Sequence, residues 1–439
     1  MKPSLFLGIC LSILTIQPSY GHLSDRVQEE YNEDLNLRDL PDGKLLAHFK
    51  FTTKVKANTQ ANAPLLDYGL YPKAIGEILQ SYKVHEMHLT FTQGRWNYEE
   101  WGYPPTLSAG TGVELWAWMK DSDNIDEHWK SLTNTLSGLF CASLNFIDQT
   151  LTTEPRLSFK TDSNDTDKRL RYGALPHENV CTENLTPWIK LLPCKAKDEA
   201  CTERELELEQ TITSVMDPVR DTNWSLESVF DRQLKNACPV AKESKVSVDL
   251  TNAGTNYELK PVTTVQDNVA VYKLSKSTEP LDIRMTWNQS SFQYPLEPVQ
   301  PMIYAERYFT GYGQERGGLK ITIRNRNKSS AMPVIYYDSI PWYLKLYLHT
   351  LKVNVIGNSS VNNDDIIQEM YYQPAIDRGR PSMIECQLLL PADSVTTISM
   401  DFEKVFLKYT EHRPDANRGF DVGSAVLTAW IPTNNNGLM

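Results

Sequence analysis

No apolar run in the 439-residue sequence is long enough to cross a bilayer as a helix, which needs about 20 residues. Basic residues are also in deficit, with 44 Lys and Arg against 55 Asp and Glu and a formal charge of −11. Nucleic-acid binding needs a basic face that releases counterions, so the overall balance argues against it. With 25 Pro and 21 Gly the chain is not collagen-like or low-complexity, and 41% hydrophobic residues is too many for disorder. No C-x-x-C pair occurs, which removes zinc-ribbon and thioredoxin-like readings. Neither a G-x-S-x-G elbow nor a caspase-type Q-A-C-x-G is present, so a nucleophilic hydrolase lacks its local signature.

Partial motifs fail on spacing. His85 and His88 stand three apart on an alternating segment, so they face opposite ways, whereas a zinc-binding helix sets two histidines four apart. Gly311, Gly313 and Gly317 lack the strand-then-helix context of a nucleotide loop and suit a turn with positive φ. Acid pairs such as Asp364 and Asp365 read as solvated surface, since a glycosidase is defined by a carboxylate separation that sequence does not give. No cofactor or metal site is read, and catalysis by this chain alone is not expected.

What is present begins with a secretory signal over residues 1–21. Lys2 is the basic start, Leu5 to Ile16 the apolar stretch, and Ser19-Tyr20-Gly21 the small-x-small cleavage site. Of seven cysteines, Cys10 leaves with that signal, and Cys141, Cys181, Cys194, Cys201, Cys238 and Cys386 enter an oxidising lumen. They are too sparse to replace a core, and their pairing is not deducible from spacing. Cys141 lies in the apolar run Leu139 to Phe146 and reads as a buried thiol. Sequons at Asn164, Asn184, Asn223, Asn288, Asn327 and Asn358 are candidate glycosylation sites in the same compartment.

Length makes two domains the natural expectation. Period-two alternation dominates, at Ala47 to Thr52, Met87 to Thr92, Val113 to Trp118 and Leu206 to Ile212. Helices are expected after Pro72 through Tyr82, after an Asn124/Glu127 capping box through Leu136, and from Trp224 to Leu234. Beyond residue 240 the alternation returns at Val246 to Leu250, Val269 to Val271, Ile283 to Trp287, Leu319 to Ile323, Leu351 to Val355 and Ile398 to Phe402. The fold class is therefore mainly β: two antiparallel β-sandwich-like luminal domains, 22–240 and 241–432, with a few helices and a flexible end at 433–439. The Glu203 to Asn223 region and the polar Lys242 to Lys245 run bracket the boundary. Trp96, Trp101 and Tyr103 beside Pro104-Pro105 suit either a loop surface for sugar or partner, or packing over a sheet edge.

Several blocks resemble the PIG-T family, the non-catalytic subunits of glycosylphosphatidylinositol (GPI) transamidase. They are Leu89 to Gly94, Ser137 to Asp148, Val180 to Trp188 running on to Cys194, Arg307 to Gly313, Pro341 to Leu351 and Tyr372 to Arg378. The resemblance implies a scaffold in the endoplasmic reticulum lumen. It implies as partners the caspase-like catalytic subunit PIG-K, which cleaves a C-terminal signal and passes the new carboxyl end to GPI ethanolamine, with PIG-S, PIG-U and a GAA1-type subunit. It also implies that Cys181 forms an interchain disulfide with the catalytic subunit. Polar Glu178, Asn179, Thr182 and Glu183 around Cys181 suit the exposure such a bond needs, although the residues alone leave open an internal bond to Cys194 or Cys201. Family members continue into one C-terminal transmembrane helix, so the expectation for this sequence, ending at Met439, is membrane association through partners only. The stretch from Cys194 to Leu206 is also shorter than in the family. A different class, a secreted carbohydrate-binding or adhesion β-sandwich, predicts free secretion and glycan affinity. A secreted hydrolase would show turnover by the purified chain.

Overall fold

Alternating apolar and polar side chains give each strand one face to bury, and the chain satisfies this by stacking sheets in pairs and triples. The computed structural model describes residues 27–57, 69–160, 167–176, 178–193, 205–217, 223–235, 237–253, 256–274, 280–288, 300–311, 313–357, 363–412 and 419–431. The expected signal peptide and the flexible end at 433–439 lie outside the described residues.

The chain begins with β1 (Val27–Asp39), β2 (Leu45–Ala57), α1 (Lys73–Ser81) and β3 (Val84–Thr92). There follow α2 (Tyr98–Trp101), β4 (Gly112–Lys120), α3 (Ile125–Phe140), β5 (Thr152–Thr153), β6 (Lys168–Leu175) and α4 (Thr182–Lys190). Next come β7 (Glu205–Met216), β8 (Asn223–Ser225), α5 (Leu226–Phe230), β9 (Glu243–Asp249), β10 (Tyr257–Lys260), β11 (Val265–Gln266), β12 (Val269–Lys273) and β13 (Arg284–Trp287). The last part holds β14 (Ile303–Thr310), β15 (Arg316–Asn325), β16 (Met332–Ile340), β17 (Leu344–Ile356), β18 (Ile367–Gln373), β19 (Ser382–Leu390), β20 (Ser394–Lys404) and β21 (Val426–Ala429). The protein is mainly β, as its alternation indicates.

Two compact units are each assembled from separate stretches: Met1–Glu77 with Glu100–Pro105 and Leu185–Val299, and Ile78–Glu99 with Thr106–Asn184 and Gln300–Met439. This differs from a single cut near residue 240. The Glu203 to Asn223 region is no linker, because β7 there pairs with β2, and β9 beyond it pairs with β1. That β1–β9 pair is parallel, an exception to the antiparallel expectation. Pairing distant strands satisfies backbone hydrogen bonds irrespective of chain order, so a local composition shift is a poor boundary marker.

In the first unit a six-stranded sheet, β11-β12-β9-β1-β2-β7, shares a core with the three-stranded sheet β10-β13-β8. Leu35, Leu37, Val246 and Val248 meet Trp224, Ile283 and Met285 there. The opposite face of the large sheet carries a charge ladder, with Lys50–Glu209 at 2.7 Å, Lys245–Asp34 at 3.1 Å and Lys242–Glu30 at 2.8 Å. Such exposed pairs add little stability each, about 0–1 kcal/mol. They favour a hydrated face and a fixed register. Trp224, expected in a helix, lies in β8, and α5 keeps only Leu226–Phe230 behind a Ser225/Ser228 capping box.

The second unit is layered more deeply. Sheet β14-β15-β20-β17 shares a core with β18-β19-β16-β21 through Leu319, Ile321, Ile398, Met400, Val334, Ile384 and Leu388. The other face of β16 and β19 packs on a third sheet, β3-β4-β6-β5, through Tyr337, Met383, Trp116, Leu170 and Tyr172. Tyr172 and Tyr337 meet edge-to-face at 5.0 Å between ring centroids. Covered on both faces, β19 buries even Glu385, whose carboxylate accepts the N–H groups of Arg156 (2.6 Å), Leu157 (3.2 Å) and Ser158 (3.0 Å). Helix α3 covers the outer face of the third sheet. Asp126 in its first turn accepts from buried Arg171 at 2.9 Å, and Phe140 meets Phe91 of β3. The expected Asn124 cap makes no side-chain hydrogen bond, so Asp126 and Glu127 alone favour that helix end.

Replacing Glu385 with Ala leaves three N–H groups without their acceptor, that of Ser158 buried and those of Arg156 and Leu157 partly so. Denaturant titration should show a loss of about 3 kcal/mol or more, with amide exchange speeding up at 156–158; unchanged protection there would contradict this role. Burial pushes the Glu114 carboxyl, which accepts from Tyr172 Oη at 2.9 Å, up to about 7. A raised carboxyl contributes stability that is fully present below about 4.5 and lost as pH rises through 7. Glu114→Gln should therefore flatten the pH dependence of unfolding between pH 4.5 and 7, by on the order of 3 kcal/mol; an unaltered profile would refute the assignment.

Candidate functional site

The candidate site lies where α3 stops and α4 starts, within the second unit. Ile125, Trp129, Leu132, Leu136 and Phe140 form the buried stripe of α3. The helix stops because Cys141 takes a left-handed conformation (φ 51°), and its N–H returns to the Ser137 carbonyl. A 3-10 turn at Leu144–Phe146 follows, seated against β6 where Gly173 has no side chain. A Cβ on Gly173 would come within 2.3 Å of Ile147 Cγ2, so close approach of this turn requires glycine.

Asn184 joins the two helix ends. It is the third residue of α4, and its Oδ1 accepts the Cys181 N–H at 2.8 Å. Its Nδ2 donates to the carbonyls of Phe140 at 2.8 Å and Cys141 at 3.2 Å. One carboxamide thus satisfies a free N–H at the start of one helix and two free carbonyls at the end of another. The side chain is buried, whereas Cys181, Thr182 and Glu183 ahead of it are exposed. A second bridge runs from the Ser143 N–H to Glu178 Oε1 at 2.7 Å.

The cysteines separate by environment. Cys181 is exposed and unpaired within the chain. Cys141 is also exposed and free, which corrects the expectation of a buried thiol. Phe140, Ala142 and Leu144 around it point inward, but the left-handed turn sends Cys141 out. Cys386 is free but buried in β19, and burial together with neighbouring Glu385 pushes its thiol up to about 12. Cys238 is disulfide-bonded. Cys194 and Cys201 lie outside the described residues.

Of the candidate glycosylation sites, Asn164 and Asn358 lie outside the described residues. Asn223 and Asn288 are exposed, and half-buried Asn327 accepts the Ser329 N–H at 3.0 Å. Asn184 is corrected. Its nitrogen, the atom a glycan would occupy, is buried and committed to two carbonyls, so the fold has no room for sugar there.

Other sequence candidates resolve into packing. His88 stacks on Trp116 at 3.6 Å between ring centroids and bonds Glu86 at 2.8 Å. Trp96, Trp101 and Tyr103 are half-buried, and Trp101 Nε1 donates to Asp42 at 2.9 Å. Sequence reasoning missed Asn184 as a structural residue and Phe146 as a surface residue. The spacing of Asn184 three residues after Cys181 was the available signal for a helix start.

The chain belongs to the family described as Gpi16 subunit, GPI transamidase component, which matches over residues 15–202 and 201–438. It is similar to the GPI-anchor transamidase component PIGT of Homo sapiens, 38% identical in an alignment that covers 96% of this chain and 81% of the human protein. It is also similar to the GPI transamidase component GPI16 of Saccharomyces cerevisiae, 29% identical over 95% of this chain and 82% of the yeast protein. Among solved structures, the collagen adhesin (CNA) from S. aureus aligns over 49% of this chain and 81% of its own, with TM-score 0.21 and 9% identity, too weak for any argument.

A thiol-alkylating reagent should label Cys181 and Cys141 in the folded chain, and Cys386 only after unfolding, as read by peptide mass mapping. Comparable labelling of Cys386 under native conditions would contradict the burial assigned to it.

Proposed function

We propose that the chain is a non-catalytic scaffold subunit of GPI transamidase in the endoplasmic reticulum lumen, tethered through Cys181 to a caspase-like catalytic subunit of the PIG-K type. The observation that carries this reading is the state of Cys181. Its thiol is exposed, unpaired within the chain and held at a rigid helix start by buried Asn184. An interchain disulfide needs an accessible sulfur and a backbone that does not have to reorganise. An oxidising lumen is the compartment in which such a bond persists.

On this reading the partner supplies the nucleophile that cleaves the C-terminal signal and hands the new carboxyl end to GPI ethanolamine. This chain contributes surface and position. A covalent tether makes every further contact between the two subunits intramolecular, which raises their effective concentration. The buried acidic groups described in the second unit are engaged in packing: Glu114 with Tyr172, Asp338 with Arg307 and Tyr336, and Glu385 with three backbone amides. PIG-S, PIG-U and a GAA1-type subunit complete the proposed assembly. No described helix is long and apolar enough to cross a membrane.

Cys181→Ser should abolish the linked species that non-reducing electrophoresis detects between the chain and the catalytic subunit, with the fold intact because the site is exposed. A linked species that survives Cys181→Ser would refute the tether.

A further inference from the structure

The corner that presents Cys181 also presents an aromatic ring to water. Phe146 is 66% exposed, although Leu144 two residues before it and Ile147 directly after it are buried. A singly exposed ring is ordinary on a protein surface; what sets this one apart is its place, on an ordered turn bridged to the segment that carries Cys181. The turn is ordered by the Phe146 N–H donating to the Ser143 carbonyl at 2.9 Å, and by the Ile147 N–H donating to that of Leu144 at 2.9 Å. Ser137 Oγ also donates to Asn145 Oδ1 at 3.1 Å. Two bridges then join this turn to the segment carrying Cys181. Glu178, three residues before the cysteine, accepts from Ser143, and Asn184, three residues after it, donates to Cys141. The other highly exposed rings of this unit, Phe406 (88%) and Tyr409 (93%), sit on a segment that carries no cysteine.

We infer that Phe146 is the non-covalent anchor for the thiol-bearing subunit that Cys181 captures, an inference that rests on reading Cys181 as the tether. Disulfide formation demands a narrow geometry, so the partner's sulfur must be seated before it can react. A ring inserted into an apolar pocket of the partner, rimmed by exposed polar groups such as Thr182 and Glu183, provides that seating. Two thiols then give up two protons and two electrons to a disulfide oxidant of the glutathione class, which leaves as two thiols. The partner is thus defined chemically: a protein with a reduced cysteine beside a pocket that accepts a phenyl ring.

The test co-expresses the full chain with the catalytic subunit alone and blocks free thiols at lysis. In a Cys181→Ser background, Phe146→Asp should lower co-captured partner about ten-fold. With Cys181 present, the same substitution should lower the disulfide-linked fraction. Phe406→Asp should change neither, and the thermal transition of Phe146→Asp should match the parent because the ring is exposed. If Cys181→Ser removes the linked species while Phe146→Asp matches the parent in both readouts, the anchor is overturned and the tether stands. If the linked species survives Cys181→Ser, the tether fails and the anchor with it.

Discussion

Three backbone groups, belonging to two helix ends and to separate stretches of chain, converge on the carboxamide of Asn184. Each would otherwise be an unsatisfied group at a helix terminus, with the Phe140 carbonyl buried and the other two partly buried. A neutral hydrogen bond contributes only about 1 kcal/mol net, but leaving such groups unpaired in the interior costs about 1–3 kcal/mol each. The corner therefore has one low-energy arrangement. In that arrangement Cys181 and Cys141 face water and the helix stripe of α3 faces the sheet. The proposed function depends on this constraint, since an interchain bond requires a sulfur in a fixed and open place.

The contrast with Cys386 shows how environment divides one residue type into two roles. Cys386 lies in β19, between two sheets, where burial disfavours its thiolate and excludes reagents. Cys181 sits on a helix end that the layers hold in place without covering. The same layering accounts for the buried acids. A sheet covered on both faces has no solvated side on which to put a charge, so Glu385 and Asp338 survive only where backbone amides or Arg307 meet them. The charge ladder on the outer face of the first unit is the complementary case, with its ion pairs left at the surface.

Much of this architecture could be read from the sequence because strand alternation is a direct image of a half-buried sheet. The stretches at Ala47 to Thr52, Val113 to Trp118, Leu319 to Ile323 and Ile398 to Phe402 all lie in strands, and the stripe from Ile125 to Leu136 lies in α3. What failed were readings that depend on distant partners. The segment after Trp224 has helical spacing, yet Trp224 pairs in a sheet because β13 lies alongside it. Helix α4 is nine residues long, contains Pro187 and fully buries Asn184 rather than an apolar side chain, so it gives little helical signal. Asn184 fits a glycosylation sequon by composition alone, and only the fold shows its nitrogen to be buried. The apolar neighbours of Cys141 suggest an inward side chain, but a left-handed stop one residue past the helix turns it to water.

The most direct measurement is a disulfide map of the assembled complex, captured from cells whose free thiols are alkylated at lysis. The account predicts a Cys181 peptide joined to a peptide of another chain, with Cys141 carrying the alkyl group. A Cys181 that is itself alkylated in the assembled complex, or joined to a cysteine of its own chain, would contradict it.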